Sequence, residues 1–141
     1  MPSYPVCICC LVLLVGLVGW IWLTPREPER LYTLRMRLKP LHPVVGKLRF
    51  YESNEAYTLN KKRVFLCTRD QKGQDYSDNM LTYAAIHEIA HAVDPHFRYG
   101  QPVDQHPEEY MNIFKALLTK AHMLGLYDPT QTIDPFYCAN K

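Results

Sequence analysis

His87-Glu88-Ile89-Ala90-His91 is the segment of this chain whose residue types and spacing could do chemistry. Two histidines four residues apart on a helix share one face, so both imidazoles can grip one Zn²⁺ at about 2 Å from each nitrogen. Glu88, the residue after the first histidine, is turned about 100° away from it. It sits beside the metal without having to ligate it. From there it can take a proton from a water and hand it to a leaving amine during attack on a carbonyl. With six histidines in 141 residues, composition alone produces this pattern in roughly 1% of such chains, so the signal is specific. Its flanks (Ala84, Ala85, Ile86, Ile89, Ala90, Ala92 and Val93) are uncharged, as a buried helix requires. The plainer reading is a surface helix that happens to carry two histidines.

Two histidines leave a tetrahedral metal short of at least one protein ligand. By residue type the candidates are His96, Asp104, His106 and Glu109. His96 follows His91 by five residues, whereas the long form of the motif needs a histidine at six and a glycine at three, where this chain has Asp94. Glu109 would complete a His-His-Glu set, and its plainer role is as a partner of a helix dipole. His106 lies just before that helix, with a capping or exposed loop role as its alternative. Tyr99, Tyr110, Tyr137 and His96 could face an oxyanion, and Asp94 or Asp104 could orient a ligand imidazole. Cys67 reads as core, and His42 and His122 as structural or exposed.

The motif needs a helix, and the pattern predicts one over 78–93. Ser77 or Asp78 can cap it by accepting from free backbone N–H groups, and Asp94-Pro95 ends it. Leu81, Ala85, Ile89, Ala92 and Val93 fall on one side, while His87, His91, Met80 and Ala84 fall on the other. A loop from Pro95 to Gln105 leads to a second helix over 107–124. There Pro107 suits the first turn, Glu108 and Glu109 complement the dipole, and Gly125 is a natural stop. Its stripe of Tyr110, Ile113, Phe114, Leu117, Leu118, Ala121 and Leu124 must pack on the rest of the domain. Upstream, 47–51 and 63–68 alternate as strands, with turns at Ser53-Asn54 and Asn60-Lys61-Lys62. Leu31, Leu34 and Leu38 mark a short helix over 29–38, either a stalk or the first helix of the domain.

The chain is long enough for one domain. Val6 to Leu23 holds no charged residue, and its about 18 positions reach the lower limit for a membrane span. Trp20 and Trp22 suit an interface. The run lacks the basic start and small-residue cleavage site of a secretory signal, so it reads as an anchor inserted through residues 6–23. Arg26, Arg30, Arg35, Arg37 and Lys39 follow it and no basic residue precedes it, which would leave the C-terminal domain in the cytosol of a single-pass membrane protein. The net charge of +2 is accounted for by that juxtamembrane stretch, and no nucleic-acid site is evident. Cys7, Cys9 and Cys10 lie within the run as apolar fill or palmitoylation sites. Cys67 and Cys138 could form one disulfide in an oxidising space, and the charge asymmetry argues against that setting.

His-Glu-Ile-Ala-His, a loop, then His106-Pro107-Glu108-Glu109-Tyr110 opening an amphipathic helix resembles the WLM/SprT-like zinc metallopeptidases. The likeness runs from about residue 47 to 141 and is similar to small WLM-like proteins encoded by large DNA viruses. Pro107 stands where that group has Gly, Tyr110 where it has Phe, and the apolar run is unlike its DNA-repair members. The resemblance implies a Zn²⁺ site of His87, His91 and His106 with Glu88 as base. The expected fold class is α+β: a transmembrane helix (1–24), a basic juxtamembrane stalk or helix (25–46), and a minimal zincin domain (47–141). That domain would hold a short antiparallel sheet, the motif helix and a second amphipathic helix. Two functions compete: a membrane-anchored peptidase acting on protein or peptide substrates, and a non-catalytic zinc-stabilised interaction protein of virion or membrane assembly. A structural zinc site closes its fourth position and needs no base there, so Glu88 favours the enzyme.

Overall fold

The computed structural model describes residues 4–97 and 106–138. The elements are α1 (Tyr4–Leu23), α2 (Glu29–Leu38), a 3₁₀ turn (Pro43–Lys47), β1 (Arg49–Glu52), β2 (Tyr57–Leu59), β3 (Arg63–Leu66), α3 (Asp78–Val93) and α4 (Glu108–Met123). The predicted α3 and its cap hold, with Ser77 Oγ accepting from the Met80 amide at 3.1 Å. Helix α4 starts and stops within a residue of the expected bounds. At Gly125 (φ 68°) the chain turns left-handed, and the Leu126 amide donates back to the Ala121 carbonyl.

The expected transmembrane anchor is not supported. Among the described residues no helix is long and apolar enough to cross a membrane. The apolar run had no length to spare. The uncharged run from Val6 to Leu23 rises about 27 Å along α1 at 1.5 Å per residue, short of the about 30 Å hydrocarbon core. The single-pass topology falls with it, and so does the orientation drawn from the basic flank, because that rule applies only to a segment that crosses. Among the described residues of α1 none belongs to the core, and side chains such as Leu13 and Trp22 are exposed.

The sheet is mixed where a purely antiparallel one was expected. Its order is β1-β3-β2, with β1 parallel to β3 (Phe50 beside Val64) and β2 antiparallel to β3 (Thr58 beside Val64). Strand β2, which the alternation did not reveal, turns into β3 through Asn60 and Lys61, both at positive φ, with the Lys62 amide closing on the Leu59 carbonyl. That pair of left-handed residues makes a tight turn whose twist matches the strands. Alternation then divides the sheet. Phe50, Thr58, Val64 and Leu66 are buried toward the helices. Tyr57, Phe65 and Tyr51 form a row on the other face, with ring centroids 4.4 and 5.4 Å apart.

Helix α3 runs through the middle of the domain, touching β2 and β3 on one side and α4 on the other. Ile86, Ile89 and Ala85 are fully buried in one cluster with Phe50, Val64, Tyr110 and Phe114. Leu31, Leu34 and Leu38 of α2 belong to the same cluster, so the stretch 25–46 is packed into the folded unit. A buried ion pair fixes it there. Arg35 forks onto Glu27 with Nε to Oε1 at 2.7 Å and Nη2 to Oε2 at 2.8 Å, and the Phe50 amide donates to the same Oε1 at 2.9 Å. The two side chains are only 3% and 8% exposed.

Cys67 and Cys138 form a disulfide, with Cα atoms 5.6 Å apart. The argument against this bond rested on the membrane orientation and loses its basis along with it.

Arg35→Ala should cost about 3–5 kcal/mol, because it leaves the Glu27 carboxylate buried and uncompensated. Urea denaturation measures this, and Arg35→Lys should recover only part of the loss, since an ammonium cannot reproduce the two-pronged fork.

Candidate functional site

Four residues apart on α3, His87 and His91 both face α4, where the chain re-enters through His106. One ring nitrogen from each of His87, His91 and His106 lies within 4.8 Å of the others. The ring centroids are 4.9 to 5.2 Å apart. Helix α4 backs the group: Tyr110 stacks on His91 at 4.3 Å and lies 4.6 Å from His106, and Phe114 meets His87 edge-on at 5.3 Å. The Tyr110 hydroxyl donates to the His87 carbonyl at 3.0 Å, tying the two helices together at the site.

The electrostatics suit a cation. Burial, followed by the neighbouring histidines, pushes His87 down to about 4, and burial followed by His106 does the same for His91. Both rings are neutral near pH 7 and keep a lone pair available. His91 Nε2 is buried without a hydrogen-bond partner among the described residues. A buried polar atom left in that state is costly, and a metal would satisfy it.

Glu88 reaches toward β2. Burial raises its carboxyl to about 7, against the opposing pull of a hydrogen bond from Thr58. Thr58 Oγ1 lies 2.7 Å from Glu88 Oε2 and 2.9 Å from the Glu88 carbonyl oxygen. A cation held by the adjacent histidines would favour the ionised carboxylate. Glu88 and His87 line a cavity of about 440 Å³ with Met80, Tyr83, Ile133 and Tyr137.

The other candidates go elsewhere. Glu109 Oε2 pairs with His96 Nε2 at 3.0 Å, both exposed and outside the histidine cluster. The Asp94 carboxylate accepts from the His96 amide and closes the end of α3. Tyr110 and Tyr137 have their hydroxyls engaged by backbone. His42 accepts from the Val44 amide at the 3₁₀ turn, and His122 lies against the Tyr127 carbonyl. Tyr99 and Asp104 lie outside the described residues. Sequence reasoning missed Thr58, whose strand of three residues is too short to show alternation. It also missed the tail as a cleft wall. The signal there was that Cys67 and Cys138 are the only cysteines beyond the apolar run.

Two viral proteins are similar to this chain. Uncharacterized protein 136R of Invertebrate iridescent virus 6 is 35% identical over 98 residues, covering 67% of this chain and 51% of the viral protein. Uncharacterized protein 042R of Invertebrate iridescent virus 3 is 35% identical over 105 residues, covering 72% of this chain and 62% of its own length. The chain thus spans between half and two thirds of each relative. No family model and no solved structure matches it.

Thr58→Val keeps the shape of the side chain and removes its donor. It should destabilise the metal-free protein by about 1–3 kcal/mol, since the buried Glu88 carboxyl loses its partner. Chemical denaturation measures the loss, and an unchanged midpoint would mean that Thr58 does not support Glu88.

Proposed function

We propose that this chain is a zinc-dependent peptidase of the WLM/SprT-like kind, encoded by a large DNA virus, with His87, His91 and His106 holding the ion and Glu88 acting as base. The observation that carries this reading is the division of labour on α3. Neutral histidines converge with His106 on one side, while a buried carboxyl one residue away opens into a cleft. The donor set fits zinc: three imidazoles leave one of four tetrahedral positions open, the arrangement of catalytic rather than structural sites.

When bound, Zn²⁺ supplies Lewis acidity toward a water and a carbonyl oxygen. The chain does the rest. Tyr110 and Phe114 hold the imidazoles in place. Glu88, seated by Thr58, accepts a proton on its carboxylate and returns it to the departing amine. Met80, Tyr83 and Ile133 give the cleft an apolar lining against which an extended peptide can lie. Glu109 is a poor alternative ligand, because His96 already engages its carboxylate.

Glu88→Gln should retain zinc and fold while slowing cleavage of an unfolded protein substrate by about 10²–10⁴. Zinc content, thermal midpoint and cleavage are read on the same preparations, and equal cleavage by the two proteins would remove Glu88 as base. Zinc firmly bound with no cleavage by either would favour the interaction-protein reading.

His106→Ala should lose its zinc on dialysis and Glu109→Ala should keep it. The reverse outcome would transfer the third ligand to Glu109. Chelation of the wild type should lower its thermal midpoint, since ligand binding to the folded state stabilises it.

A further inference from the structure

The cleft over His87 and Glu88 has two kinds of wall. One is secondary structure, from α3 and the approach to β2. The other is the C-terminal tail, which contributes Ile133, Asp134, Tyr137 and Cys138 and belongs to no helix or strand. Such a segment keeps its position only through its attachments, and among the described residues these gather at its two ends. At the near end Asn79 of α3 grips Asp128 twice, donating from Nδ2 to the Asp128 carbonyl at 3.0 Å and accepting from its amide at 2.8 Å. At the far end the attachments gather at Cys67, where β3 gives out, and at Tyr76, whose hydroxyl accepts from the Cys138 amide at 3.4 Å. The Tyr137 hydroxyl donates to the Cys67 carbonyl at 2.9 Å and accepts from the Cys67 amide at 3.1 Å. The Tyr137 ring packs 4.8 Å from Tyr76, and Cys138 is bonded to Cys67. Cys138 is also held at φ 59°, a left-handed conformation that is uncommon for a residue with a Cβ.

We propose that the Cys67–Cys138 disulfide is a redox latch on this cleft. Oxidised, it fixes residues 133–138 as the wall facing Glu88. Reduced, it leaves the far end of that wall to the non-covalent contacts of Tyr137 and the Cys138 amide, so the segment back to the Asp128 clamp opens readily and the cleft loses its hold on substrate. The zinc ligands lie on α3 and just before α4, outside the segment released, so the latch acts on substrate binding and leaves the metal centre in place. A dithiol supplies the electrons. Its thiolate attacks one sulfur of the bond, a mixed disulfide forms, and its second thiolate displaces the protein sulfur. Two protein thiols and a cyclic oxidised reductant result. Cys138 is the accessible end for that attack, since it lines the cavity while Cys67 is buried.

The effect on turnover rests on the peptidase reading, whereas the opening of the wall does not. The test therefore reads both, on the full chain in three forms: oxidised wild type, wild type reduced with dithiothreitol and dialysed, and Cys67→Ser/Cys138→Ser. Amide hydrogen exchange should rise at least about tenfold in residues 129–138 of the second and third forms, with α3 unchanged. Zinc content should stay equal in all three. KM for an unfolded protein substrate should rise by about tenfold if the wall is in place a tenth of the time, and reoxidation should reverse this in wild type only. Unchanged exchange in 129–138 on reduction would overturn the latch. So would an equal rise throughout α3, which would make the bond a staple of the whole fold. Tail opening with KM unaltered would overturn the role of the tail as a cleft wall. If no form cleaves substrate, the peptidase reading fails, and the exchange arm decides the latch by itself.

Discussion

Helix α3 carries a carboxyl and an imidazole into the interior that also holds Ile86, Ile89 and Ala90. Both residues are buried, and each polar group must be answered locally or the fold loses several kcal/mol. The surrounding elements can be read as those answers. Strand β2 brings Thr58 to Glu88, and α4 brings Tyr110 and Phe114 to the histidines. His91 Nε2 has no hydrogen-bond partner among the described residues, and a metal is what its environment fits. The helix is thus a core element and a site at once. Its apolar residues secure its position, so the polar ones are presented with little freedom.

A second buried charge acts at a distance from the site. Glu27 accepts from Arg35 and from the Phe50 amide, which pins the chain before α2 to the first strand of the sheet. Because β1 pairs in parallel with β3, and β3 holds β2, the placement of Thr58 depends on an ion pair outside the cleft. Such a pair adds little net stability against an apolar replacement. Its contribution here is to fix which segment lies beside which.

Much of α3 and α4 was legible in the sequence because helical period, Ser77, Pro107 and Gly125 are local signals. The sheet was less so. Alternation marks a strand but says nothing of its partner, so the parallel pairing of β1 with β3 had no signature, and β2 was too short to show a period. Glu27 read as one acid among several basic residues, since its partner Phe50 is far along the chain. The apolar run was misjudged at a threshold, where a count of residues stood in for the length of a helix. The cysteine pair was misjudged in consequence, because its assigned setting was inherited from that span. The histidine spacing could be read directly. The convergence of His106 came from resemblance, since no periodicity connects it to α3.

The row of Tyr57, Phe65 and Tyr51 bears on what can approach the sheet from outside. Platforms that take up single-stranded nucleic acid present ring faces on which bases stack. Here the planes of Tyr57 and Phe65 are inclined by only 12° at 4.4 Å, so each already covers the face of the other. An incoming base would meet ring edges across the middle of the row. The three rings shield one another and the backbone beneath them. The sheet's outer surface is closed by its own side chains, while the cleft beside α3 stays open to a ligand.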